Sequence, residues 1–462
     1  MRGDAVDQMS YERVVSRLPA GRAGPGAGIV TAAWTIRAGI LVALAAWACF
    51  SGGLAANEIA PRASIQGQEA PSQTGSREPG SELRVWLVTA GPGDAVWERY
   101  GHNAIRVLDT RTGRDVSYNW GIFDFEQVDF IPRFLQGQML YMMAPFNTQA
   151  MIDAYGRANR EIVLQELDLT PSEKLELRNL AEINAQPENR DYTYQYFLDN
   201  CSTRVRDLLN RVLRGALETE FGGVETGTSY RFHTRRLTQV DPLIYTGMDA
   251  LLGTPTDQPI TVWEEMFLPL TLRDAIRDLT IARRDGSVRP LVLSEEIAVT
   301  STRGPVDEAP PSWMWIYLLV GLTLAGLFAT LGTDAVSNAF LRRGVVTIAT
   351  VWSLLGGVIG TILILLLFTD HTFAYWNENL FLFHPLLLGM AVLLPLSAIR
   401  PRWRGTARRV AIVVAGVALL GLAWQLAPAS RHSNGIFFAL ALPGYLALAW
   451  ALGRRESASP HS

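Results

Sequence analysis

Cysteine is nearly absent: the 462 residues include only Cys49 and Cys201. Neither has a partner at C-x-x-C spacing, so neither a disulfide framework nor a thiolate zinc site organises the chain. Charge is also scarce. Asp, Glu, Lys and Arg make up 18% of the residues, where a soluble domain carries about a quarter. There is no basic excess either: 41 Lys and Arg against 44 Asp and Glu leave a net charge of −3, which argues against a nucleic-acid partner. No phosphate-binding glycine loop, dinucleotide fingerprint or HExxH pair occurs. The acidic residues of 257–265 form no recognisable ligand set and read as caps and surface charges. No metal or cofactor is expected.

What the chain has is uncharged apolar length. Residues 312–331, 344–368, 410–427 and 435–452 carry no charge, and 380–399 carry only His384. A hydrocarbon core needs ~20 helical residues, so these predict five membrane spans between 312 and 455. Arginines mark one side of them. Arg342 and Arg343 follow the first span, Arg400, Arg402, Arg404, Arg408 and Arg409 the third, and Arg454 and Arg455 the fifth. The loop 369–379 has no basic residue and 428–434 has only Arg431. The positive-inside rule then puts 332–343, 400–409 and the tail 456–462 in the cytoplasm, and everything before 312 outside. At the other end, residues 38–56 follow Arg22 and Arg37 and end in small residues. This makes 1–56 a signal peptide cleaved near Ala55 or Ala56, or equally a retained anchor. Residues 57–82, rich in Pro, Gly, Ser, Gln and Glu, read as a flexible linker.

The exported stretch 83–311 is long enough for its own core, and its pattern predicts an α+β domain. Strands are expected at 84–90, 102–108, 115–123, 138–143 and 161–169, the second and third forming a hairpin across Asp109–Gly113. A short helix at 125–135 is interrupted at Pro132. Asn147 caps another helix, and Thr170-Pro171-Ser172-Glu173 begins a third with a capping box. A fourth helix follows Asp199-Asn200, with Val205, Leu208, Leu209, Val212 and Leu213 on one face.

Cys201 opens that fourth helix. It is the only thiol after the signal segment, and the helix dipole there, with Arg204 and Arg206 nearby, favours thiolate. The alternative is an inert buried thiol, since free Cys packs as a small hydrophobe. His102 starts a strand after Gly101 and can take the thiol proton, or serve as a structural imidazole. Asn119, on the hairpin's partner strand, is placed to orient that ring, with Glu98 a weaker orienter; Asp199 or Asn200 caps the helix start, and Asn200 is a supporting candidate. His233, among Arg231, Arg235 and Arg236, reads as surface. The outside loop 369–384 holds Asp370, His371, Tyr375, Trp376, Asn377, Asn379 and His384. Its aromatics suit the membrane interface, and His371, Asn377 and Asn379 are candidates to meet the catalytic face.

Three runs, WLVTAGPGDAVWERYGHNAIRV, YNWGIFDF and YQYFLDNCSTRVRDLL, resemble the N-terminal periplasmic domain of the Lnb-type lipoprotein N-acyltransferases. They are also similar to the wider permuted papain-like (NlpC/P60-like) group that includes lecithin–retinol acyltransferase, in which an early-strand His precedes an Asn-Cys at a helix start. The resemblance covers 83–270 and extends through DHTFAYWNENLFLFHP at 370–385. It implies Cys201 as nucleophile, His102 as base and Asn119 as third member. It further implies an inner-membrane acyltransferase whose partners are a phospholipid acyl donor and a lipoprotein acceptor. A cell-wall peptidase or amidase with the same dyad, and a non-enzymatic envelope assembly protein, stay open as alternatives.

Overall fold

Alternation decides the sheet. In β1 (Leu83–Ala90), Leu83, Val85 and Leu87 point into one buried cluster, while Trp86, Val88 and Ala90 point into another. A strand buried on both faces reads as a continuous apolar run. The computed structural model describes residues 78–457, apart from 125–126, 128, 284–285, 335–337 and 428–429. The signal or anchor stretch, and the linker up to residue 77, lie outside the described residues.

Six further strands join β1: β2 (His102–Asp109), β3 (Asp115–Phe123), β4 (Leu140–Asn147), β5 (Ile162–Leu167), β6 (Asp191–Thr193) and β7 (Val292–Val299). They form one antiparallel sheet in the order β7-β5-β1-β2-β3-β4-β6. The predicted hairpin is β2–β3, with Ala104 opposite Asn119. The helix expected at 125–135 is α1 (Phe130–Gln136), with Pro132 inside its first turn, where proline costs no hydrogen bond. Next come α2 (Thr148–Arg157), whose cap Asn147 accepts from Ala150 N, and α3 (Pro171–Asn184), with the Thr170–Glu173 capping box. Then follows α4 (Cys201–Val212). Helix α2 covers one face of the sheet; α3 and α4 cover the other.

The region after α4 gives little periodic signal. It contains α5 (Tyr230–Thr238), α6 (Pro242–Leu251) and α7 (Pro269–Asp278) before β7 returns to the sheet edge beside β5.

Five helices long and apolar enough to cross a membrane follow: Met314–Gly332, Ala339–Leu366, Glu378–Ile399, Pro401–Trp424 and Gly435–Arg454. The second starts earlier than the uncharged run because Asn338 caps it, accepting from Phe340 N and Leu341 N. The fourth takes in Arg404, Arg408 and Arg409, since charge ends an apolar run without ending a helix. The second of the five is called α8 (Ala339–Leu366) below. The chain is thus a sheet-and-helix domain followed by five apolar helices.

The two parts share one core. Leu363 and Leu366 of α8, with Ala374, belong to the same buried cluster as Val85, Tyr118, Val205 and Leu209. The loop after α8 is fastened to the domain by backbone and side chain. Asp370 N donates to Gln136 O at 2.7 Å, Gly253 N to Phe373 O at 2.7 Å, and Gln138 Nε2 to Asp370 Oδ2 at 2.6 Å. A Cβ on Gly253 would lie 1.9 Å from Tyr375 O, so the loop's approach requires glycine there.

Candidate active site

Cys201 is the first residue of α4, and its position is fixed by Asn200. The Asn200 Oδ1 accepts from Ser202 N and Thr203 N at 2.9 Å each, satisfying two of the helix's orphan donors. Its Nδ2 donates to Tyr196 O and Phe267 O at 2.9 Å each, and Asn200 N donates to Thr203 Oγ1 at 2.7 Å. Every polar atom of that side chain is engaged in holding the helix start. One residue on, Ser202 Oγ lies 2.8 Å from Asn103 Oδ1 and 2.6 Å from Met266 O. Asn103 follows His102 on β2, so the helix start is pinned to the strand that carries the candidate base.

His102 and Asn119 are both buried, and His102 Nε2 lies 3.0 Å from Asn119 Oδ1. Asn119 Nδ2 donates to Ser117 O at 2.9 Å. Its amide oxygen is therefore the acceptor facing the ring, which assigns the proton to Nε2 and leaves Nδ1 as the basic nitrogen. Ala104 pairs with Asn119; two residues toward the strand ends stand His102 on β2 and Gly121 on β3. Gly121 has φ +84 at an irregularity in β3, and a Cβ built there would sit 3.4 Å from Cys201 Cβ. The helix start thus abuts the strand position across from His102. The ring's hydrogen bond goes to Asn119; among the described residues none joins His102 to Cys201.

The cation of the site is Arg160, which the sequence gave no reason to single out. It follows Asn159, whose φ of +53 turns the chain from α2 into β5. Arg160 is almost fully buried, donates through Nε to Gly91 O at 2.9 Å, and stands over the Tyr155 ring. Tyr155 in turn stacks on His102, centroids 6.3 Å apart. The charge of Arg160 acts on both His102 and Cys201. Arg204, expected to serve the thiol, is instead paired with Asp199 and stacked on Tyr192. Glu98 touches Arg160 at 3.4 Å and caps Ala95 N, with no hydrogen bond to His102.

Electrostatics reverse one expectation. Burial pushes the Cys201 thiol up, against the backbone N–H groups of Asn103, Ser202 and Cys201 and the charge of Arg160, which pull it down. The helix start does favour thiolate, but desolvation wins. Burial likewise lowers His102 to about 4, despite the Asn119 hydrogen bond. The resting pair is therefore neutral thiol and neutral imidazole.

The loop candidates meet the domain, each in its own way. His371 Nε2 lies 3.0 Å from Phe134 O of α1. Asn377 Nδ2 donates to Ala250 O and Leu252 O at 2.9 and 3.0 Å, and Asn379 Nδ2 to Ala250 O at 3.0 Å. Both asparagines bind the carbonyl end of α6. A cavity of about 70 Å³ lies along this seam, lined by Met139, Tyr194, His371, Phe373 and Ala374 among others. Tyr194 is its wall toward the thiol: Tyr194 Cε2 and Cys201 Cβ lie 3.7 and 3.4 Å from the same point above Gly121.

His233 corrects the surface assignment. It is buried, with Nε2 2.7 Å from a Glu265 oxygen and 2.9 Å from Thr228 Oγ1. Its neighbours are buried too: Arg231 binds Asp249 and Asp257 at 2.7 and 2.8 Å. The acidic stretch 257–265 is thus partly internal ion-pairing, with Glu264 closing a capping box on Thr261.

Compared with known families, residues 77–237 match the model of the Lnb N-terminal periplasmic domain. That span begins just before β1 and ends in α5, and it contains His102, Asn119, Arg160, Asn200 and Cys201. No curated protein and no solved structure matches the chain.

Proposed function

From a chain that carries an Lnb N-terminal periplasmic domain on five membrane-competent helices, we propose a cysteine-dependent acyltransferase. It moves a fatty acyl chain from a membrane phospholipid, through a Cys201 thioester, to the N-terminal amine of bacterial lipoproteins. The domain belongs to the permuted papain-like type and faces the periplasm from the inner membrane. The observation that carries the reading is the shared core: the buried cluster holding Cys201 also holds Leu363 and Leu366 of α8. A domain whose core continues into a membrane-spanning helix is held at the bilayer, where lipid esters lie, and a hydrolase of soluble cell-wall peptides needs no such placement.

The chemistry runs in two halves. Cys201 Sγ attacks the ester carbonyl while His102 Nδ1 takes the thiol proton. The C–O bond breaks, and the lipid alcohol leaves with that proton. The acceptor amine then attacks the thioester, His102 takes a proton from nitrogen, and the C–S bond breaks to return the protonated thiol. Asn200 occupies the N–H groups of Ser202 and Thr203, which leaves the Cys201 N–H for the developing oxyanion. Because the resting pair is neutral, proton transfer accompanies attack instead of preceding it.

The test is expression in a strain depleted of its own lipoprotein N-acyltransferase. The wild-type chain restores growth and triacylated N-termini by mass spectrometry. Cys201→Ala and His102→Ala accumulate in the membrane but leave lipoproteins diacylated. Diacylated lipoproteins with the wild-type chain would favour the peptidase, and triacylation by Cys201→Ala would remove the nucleophile.

A further inference from the structure

Helix α1 has two apolar stripes where a helix in water has one. Phe130 and Phe134, four residues apart, face the core cluster that contains Cys201. Ile131 and Leu135, also four apart, face outward at 65% and 48% exposure. A seven-residue helix that exposes Ile and Leu side by side is not explained by its own fold.

Its surroundings supply the explanation. The end of α8 docks directly beside it: Asp370 N donates to Gln136 O, and the His371 ring reaches Phe134 O. Leu135 lies between those two attachment points. On the α8 side the outward residues are Leu365 and Phe368, at 59% and 82% exposure. The outward stripe of α1 is thus fastened to the end of a membrane-competent helix, with the exposed polar groups of Gln136 and Asp370 at the join. Arg133, in the last turn of α1, is partly exposed, and an arginine at a membrane surface reaches lipid phosphate while its stem lies on apolar surface. The join residues Gly137, Asp370 and His371 line the cavity together with Met139 and Tyr194, and Tyr194 lies beside Cys201. At about 70 Å³ the cavity has room for about two water molecules, so an acyl chain enters only by displacing the loop side chains.

The geometry points to α1 as an interfacial helix: Ile131 and Leu135 sit in the outer-leaflet boundary and, with Leu365 and Phe368, form the portal through which the acyl chain of a membrane lipid reaches Cys201. The occupant is lipid because the exposed apolar stripe is bonded to the end of a helix long and apolar enough to cross a membrane. The membrane contact stands on this geometry alone; the portal role rests on the acyltransferase reading.

The experiment places a benzophenone amino acid at 131, 135, 365 or 111 of the full chain. The protein is reconstituted in phosphatidylethanolamine–phosphatidylglycerol vesicles, irradiated, and weighed intact. Lipid adducts are expected at 131 and 135 as at 365. None is expected at the exposed turn residue Arg111, at the opposite end of β2 from His102. Adducts at 365 without adducts at 131 and 135, or cross-links at 131 to protein, overturn the proposal. In a second arm, Ile131→Glu with Leu135→Glu lowers acylation of Cys201 by vesicle lipid by about tenfold, or about 1.4 kcal/mol. Acylation by soluble p-nitrophenyl butyrate is unchanged. Equal loss with both donors means that α1 is only structural, and the portal falls. If lipid adducts form at 131 and 135 but Cys201 takes acyl from no donor, the membrane contact stands and the acyltransferase reading fails.

Discussion

At Cys201 and His102, burial outweighs every local device that favours charge. The N–H groups around the sulfur and the Arg160 guanidinium lower the thiol, and desolvation raises it further. His102 goes the other way, to about 4. Between those limits neither group ionises, so thiolate at neutral pH is a minor species that grows as pH rises toward the elevated thiol pKa. Alkylation of Cys201 by chloroacetamide should therefore climb about tenfold per pH unit from 7 to 9, without a plateau, because only thiolate reacts. A rate already flat from pH 6 would mean a standing thiolate–imidazolium pair and would overturn this account. Much of the residue-scale site is legible in the sequence because it is local: a helix cap at Asp199 or Asn200, which the structure gives to Asn200, the helix-start thiol, the strand-start His102 and its hairpin partner Asn119. Arg160 is not, since its partners Gly91, Glu98 and Tyr155 come from separate segments and no periodicity marks it.

Among the elements, the segment from α5 to α6 was the least readable and is the most tightly bonded to the membrane part. Arg231, Arg235 and Arg236 look like a solvated basic face until Asp249 and Asp257 are brought to the first two, and His233 and the Asp307 carbonyl to the third. Arg231 then binds both carboxylates, and its Nη2 also reaches His432 Nε2 at 3.1 Å, in the loop before the last span. Arg235 Nη1 reaches Ser433 Oγ at 3.0 Å. Removing one member of a buried ion-pair set strands the others, at a cost of about 3–5 kcal/mol. An exposed pair is worth about 0–1 kcal/mol. Arg231→Met should therefore lower the melting temperature in detergent far more than Arg84→Met, which breaks the half-exposed pair with Glu166 and a stack on Trp86. Equal shifts would show that the Arg231 cluster does not hold the domain to the membrane helices.

For the whole molecule, the decisive property is one-dimensional. Five uncharged runs were visible without any knowledge of packing because spanning depends on apolar length, whereas the seam that joins the domain to α8 depends on contacts more than a hundred residues apart, such as Gln138 with Asp370. An odd number of spans puts the domain and the C-terminus on opposite sides of the membrane. By the positive-inside rule the arginines at 342–343, 400–409 and 454–455 predict the cytoplasm for the C-terminal side. Alkaline phosphatase, active only after export, should accordingly be active when fused after residue 300 and inactive when fused after residue 455. The site depends on that result. Exported, Cys201 is the only thiol in the described residues and has no internal partner with which to form a disulfide. It then lies beside the outer leaflet, where an ester donor and a lipoprotein amine meet. The reverse fusion pattern would place the same thiol and the apolar strip of α1 on the cytoplasmic leaflet, away from exported lipoproteins, and acyl transfer to them could not be its reaction.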